Sequence, residues 1–131
     1  MTRRPQDHMQ ERVVLNFAHP SVSADTTLML FEAQSAFRVD SVHYVNDTGL
    51  VADATNFFNL KLQNAAVVVA NWSTETGEEG TLTAATFVDF TMSAVAGALN
   101  LAAGEALKLV LDEDATATLP AGQIQIEGRY L

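Results

Sequence analysis

The chain has 131 residues, no cysteine and a net charge of -9, from 16 Asp and Glu against 7 Lys and Arg. Such a length buries the core of one domain without disulfides or a structural metal, and the missing thiols exclude thiol catalysis, zinc–thiolate sites and iron–sulfur clusters. An acidic surface opposes attachment to nucleic acid or anionic membrane, and the longest apolar run, Ala65 to Ala70, falls far short of the ~20 residues of a spanning helix, so the chain reads as soluble with neither partner.

Residues 1–12, MTRRPQDHMQER, mix charge signs around Pro5 and are followed by neither the apolar run nor the cleavage site of a secretion signal. They read as a flexible arm that orders on a neighbour, with Arg3 and Arg4 as candidate interface residues. A single domain is expected over residues 13–131, since segments rich in β-branched and aromatic residues alternate with clusters of Asn, Asp, Gly, Ser and Thr. Strands are predicted near 12–17, 27–32, 37–46, 56–63, 66–72, 85–92, 106–111 and 123–130. Leu107, Leu109 and Leu111 fall on one face against Lys108, and Ile124 and Ile126 alternate with Gln123, Gln125 and Glu127, so each strand offers one face to a core. The fold class is therefore all-β, an antiparallel sandwich of about eight strands.

Between the strands, Asn46-Asp47-Thr48-Gly49 reads as a turn closing FRVDSVHYVN, with Asn46 and Gly49 serving backbone geometry. Phe57 and Phe58 are adjacent and must point to opposite sheet faces, so one meets a second buried layer or a partner. The run 65–70 is apolar on both faces, which an obligate oligomer or a central strand would explain; Val67, Val69 and Trp72 are candidate interface residues, Trp72 fitting a core or strand-end position equally well. In 92–111, Met92, Val95, Ala96, Leu99 and Ala103 fit a helical stripe, but Gly97, Asn100 and Gly104 interrupt it, predicting a loop with at most a helical turn or two. LAAGEALKLVL and LPAGQIQIEGR share a turn-then-strand pattern in which Gly104 and Gly122 supply the turn angle.

Candidate chemistry is sparse. Asp47-Thr48-Gly49 resembles the catalytic tripeptide of pepsin-like and retroviral proteases, and QIEGRYL resembles their apolar-Gly-Arg segment. However, Asn46 and Leu50 flank the tripeptide and no glycine-rich flap hairpin stands at the right place, so the turn is preferred and a dimeric aspartic protease using Asp47 is kept as a remote alternative. His8, His19 and His43 are too scattered for a metal ligand set, and His43 reads as lining a strand face. No G-x-S-x-G elbow is present. The runs Glu78-Glu79 and Asp112-Glu113-Asp114 lack EF-hand spacing and read as solvated loop tips. No cofactor, metal or catalytic residue is expected.

FRVDSVHYVNDTGLVADATNFFNLKL resembles a stretch of small virion proteins of tailed bacteriophages, in which a strand ending Tyr-x-Asn leads through a Gly-Leu turn and an Ala/Asp loop to Thr-Asn-Phe and the next strand. LAAGEALKLVLDEDATATLPAGQIQIEGRYL is similar to their terminal segment. The resemblance implies a capsid decoration, or cement, protein: a β-sandwich of jelly-roll type that assembles with itself, commonly as trimers, on the capsid exterior and clamps the major capsid protein's capsomers. Tail or fibre modules that bind a receptor or glycan share these features.

Overall fold

The computed structural model describes residues 12–131. The predicted arm therefore lies outside the described residues, Arg3 and Arg4 included, except for Arg12, which opens the first strand.

Ten strands follow: β1 (Arg12–His19), β2 (Thr26–Glu32), β3 (Phe37–Asn46), β4 (Phe57–Asn64), β5 (Val67–Ser73), β6 (Val88–Asp89), β7 (Thr91–Met92), β8 (Asn100–Leu101), β9 (Ala106–Asp114) and β10 (Gly122–Tyr130). They form two antiparallel sheets, one ordered β1-β10-β3-β6 with β8 also on β3, the other β2-β9-β4-β5-β7. Taken in chain order, all ten strands alternate between the sheets except at the β4–β5 hairpin, and the first and last strands pair, which is the winding of a jelly roll.

The period-two pattern decides which faces meet. Ile124 and Ile126 of β10 and Phe37, Val39, Val42 and Tyr44 of β3 face Phe58, Leu60 and Leu62 of β4 and Leu107, Leu109 and Leu111 of β9, all essentially inaccessible. Each such side chain contributes about 1.5–3 kcal/mol relative to exposure. Three bulges adjust the phase, in β3, β2 and β5. In β3, Ser41 pairs Glu127 and Val39 pairs Gly128, so Asp40 is the extra residue and Val39 and Val42, three apart, both point inward. Gly128 is essential there: a methyl group at 128 would lie 2.4 Å from both the Phe37 ring and the Arg38 carbonyl oxygen.

The structure corrects four sequence expectations. Residues 85–92 are not one strand, because β6 joins the β3 sheet and β7 the β5 sheet, with Phe90 buried at the crossing. The apolar run 65–70 is not a strand apolar on two faces: Ala65 and Ala66 form the hairpin turn, and a bulge after Leu62–Ala70 pairing sends the consecutive Val69 and Ala70 inward. Asp112, Glu113 and Asp114 are not a loop tip but the end of β9, paired with Asn59, Phe58 and Phe57. Gly122 opens β10 without a positive φ; it is needed for space, since a methyl group there would sit 2.5 Å from the Tyr44 hydroxyl. Gly104, by contrast, has φ +87° in the turn before β9, and the 93–105 segment is a loop carrying only the short β8.

Candidate functional site

The turn after β3 rests on a buried polar brace. Asn46 is fully buried; its Nδ2 donates to the Pro120 carbonyl (2.7 Å) and to the Tyr44 hydroxyl (3.1 Å), while its Oδ1 accepts the Gly49 N–H (2.8 Å). Gly49 lies at φ +84°, and a methyl group there would be 2.5 Å from the Leu82 carbonyl oxygen, so only glycine fits the turn. The Tyr44 hydroxyl also meets His19 Nε2 at 2.6 Å, with the two rings stacked at 5.7 Å. His19 Nδ1 lies 2.7 Å from the Pro20 carbonyl; a carbonyl only accepts, so Nδ1 carries the proton and Nε2 accepts from Tyr44. Burial lowers the His19 pKa, partly offset by the bond to Pro20, and burial raises that of Tyr44. The brace is neutral at pH 7.

Above this brace Asp47 and Thr48 form an exposed bend, with the Asp47 N–H donating to the Ala121 carbonyl at 2.9 Å. A protease dyad needs a second carboxylate in a buried site sharing one proton. The solvent-facing Asp47 has no such surroundings here.

Tertiary structure assembles a second constellation that no spacing in the sequence announces. On the outer face of the β3 sheet, Ser41 Oγ lies 3.2 Å from His43 Nε2, and His43 Nδ1 lies 2.6 Å from Asp89 Oδ1. This is the connectivity of a Ser-His-Asp relay, but Ser41 also donates to Glu127 Oε2 at 3.1 Å, and a hydroxyl has one proton for two acceptors. The group stands on strands whose amides are engaged in ladders with β10 and β6, not beside free N–H donors that could hold an oxyanion. What it does is tie β3, β6 and β10 together, continued by Arg12–Glu127 (3.9 Å) and by Arg129–Asp40 (2.8 Å).

The candidate interface residues are placed as follows. Phe58 and Val69 are fully buried and Phe57 nearly so, which withdraws all three from any partner surface. Val67 is exposed beside the hairpin turn. Trp72 is half-buried and donates Nε1–H to the Gly80 carbonyl at 3.0 Å, pinning the loop after β5. In that loop Glu79 is not a solvated tip: Oε1 accepts the Ser73 N–H (2.7 Å) and Oε2 the Thr91 hydroxyl (2.9 Å). Asp53 Oδ1 accepts the N–H groups of Asn56 and Thr55, which hold its carboxyl below the usual range. Among the described residues, no cluster of His, Asp and Glu has the arrangement of a metal site.

Comparison with known proteins adds a structural likeness. No protein-family model matches the chain, and neither does any curated protein. The fold is similar to a chain in the structure of infectious bursal disease virus, Gx strain, at TM-score 0.43 and 12% identity, covering 92% of this chain and 33% of that one. The present chain thus spans about a third of that protein's length.

Proposed function

We propose that this domain is a structural virion protein that binds the outer surface of a tailed-phage capsid as a homo-oligomer and stabilises contacts between capsomers, without catalytic activity. The observation that carries the reading is where the phage-like segments fall in the fold. FRVDSVHYVNDTGLVADATNFFNLKL is β3, the braced turn and β4; the terminal segment is β9 and β10. These four strands are the centre of both sheets, so the resemblance covers the part of the chain that specifies the jelly roll. Jelly rolls recur in viral capsid and lectin domains.

A clamp of this kind uses several weak contacts at once, and a trimer, the stoichiometry the resemblance implies, multiplies them. The test is cosedimentation of the purified chain with preassembled tailed-phage capsids lacking decoration protein. Saturable binding that raises the capsids' disruption temperature is expected; absence of binding overturns the reading. A fibre module with a sugar ligand is the second reading, favoured by the acidic loop end that carries Asp25, Asp47, Asp53, Glu75, Glu78 and Glu79 without a single Lys or Arg in residues 20–25, 47–56, 74–87 or 115–121. Binding on a glycan array, with and without calcium, would support it in place of the capsid role.

A further inference from the structure

We infer that the open edge formed by β1 pairs with β1 of a second copy. This rests on the oligomeric reading above but assigns its contact. β1 and β2 are terminal strands of the two sheets, pairing only β10 and β9 respectively among the described residues, and the short connection 20–25 leaves both edges on one side of the sandwich. The core is unfinished along this side. Val13, Leu15 and Phe17 of β1 and Leu28, Leu30 and Phe31 of β2 pack on the core yet remain half-buried, and Val14 and Met29 stand 46% and 67% exposed on the outer faces.

The two edges differ in how they are protected. β2 carries a bulge at Leu30 and ends in Glu32, devices that discourage strand addition. β1 pairs β10 over eight consecutive positions without a bulge and contains no acidic residue, Pro or Lys. In a chain of net charge -9, self-association meets least repulsion at a strand with no carboxylate of its own, and the carboxylate beside it, Glu127 across from Val14, already faces Arg12 at 3.9 Å. The occupant that fits is therefore a second copy.

The sequence of the strand is itself matched to a two-fold. An antiparallel pair centred on Leu15 sets Leu15 against Leu15 of the second copy, Val13 against Phe17, Val14 against Asn16, and Arg12 against Ala18. Opposed residues share a face in every case, so the apolar row runs unbroken from one core to the next while the N–H and C=O groups of both edges are satisfied. This contact is isologous and makes a dimer; a trimer would need a different surface.

Val14 and Ala18 are exposed, so Val14→Lys with Ala18→Lys leaves the fold intact while setting the new positive charge at position 18 opposite Arg12 of the second copy, like against like across the two-fold. Sedimentation of the full chain at micromolar concentration is expected to give a dimer, and the double variant, with unchanged far-UV circular dichroism, to dissociate at least roughly tenfold more readily. The chain has no cysteine, so Val14→Cys with Asn16→Cys gives an unambiguous readout: oxidation should yield a dimer linked between 14 and 16 of the two copies. A monomeric parent chain, an oligomer indifferent to the lysines, or one abolished by removing residues 1–11 but not by the lysines overturns the assignment. Capsid cosedimentation of the parent chain and of the lysine variant separates the two proposals: parent dimers, dissociated by the lysines, that ignore capsids sink the virion role alone, whereas capsid binding by a lysine-resistant oligomer sinks the β1 contact alone.

Discussion

Replacing Tyr44 by Phe removes one oxygen atom from the centre of the buried brace and keeps the ring that stacks on His19 and packs on Phe90. His19 Nε2 then loses the donor 2.6 Å away, and Asn46 Nδ2 loses one of its two acceptors while keeping Pro120. A buried group left without its partner costs about 1–3 kcal/mol, so two such losses, one of them partial, come to about 2–4 kcal/mol. For a domain of this size that corresponds to a fall of roughly 6–15 °C in Tm. The pH dependence sharpens the prediction. Because burial depresses the folded-state pKa of His19, the protein takes up that proton more readily when unfolded; stability is fully present above the unfolded value of about 6.5 and is lost as pH falls below it. Without the tyrosine hydroxyl donating to Nε2, protonation of that nitrogen meets less opposition. The deficit of Tyr44→Phe should therefore be larger at pH 8 than at pH 5.5, measured by urea unfolding at both. A deficit below about 0.5 kcal/mol, or one equal at the two pH values, would refute the hydrogen-bond reasoning and assign the effect to packing.

Other substitutions test neighbouring claims. Gly128→Ala forces a methyl group against Phe37 and the Arg38 carbonyl and should cost at least about 2–3 kcal/mol, while Gly104→Ala, strained in φ but with open space around it, should cost about 1 kcal/mol; calorimetry distinguishes them. Glu79→Gln weakens the bonds to Ser73 and Thr91, and hydrogen exchange of residues 74–80 should accelerate with little change in overall Tm. Asp53 has a depressed carboxyl pKa, so its contribution exists above the unfolded value of about 3.9 and disappears as pH falls through the folded one; Asp53→Asn should flatten acid unfolding in that range. Asp47→Asn, at an exposed bend, should leave stability within about 0.5 kcal/mol and change no capsid binding; loss of a peptide-cleaving activity in this variant would instead restore the protease alternative.

Local chemistry determined much of this protein. Alternation in 106–111 and 123–130 marked β9 and β10 and chose their inward leucines and isoleucines, because a strand's side-chain period is two wherever it is regular. Turn chemistry at Asn46 and Gly49 was legible for the same reason: an amide side chain that bonds the backbone and a residue free of Cβ are properties of single positions. What only the tertiary structure decided is whatever depends on a second segment. A bulge is a mismatch between two strands, so the paired burial of Val69 and Ala70 imitated a two-sided strand, and the need for glycine at 122 and 128 comes from Tyr44 and Phe37 across the sheet. His19 meets Tyr44, and Ser41 and His43 meet Glu127 and Asp89, over separations of 25 to 86 residues that no local pattern encodes. Likewise, a strand pattern shows which side chains turn inward but not whether its backbone edge is covered; only the sheet order leaves β1 at the rim.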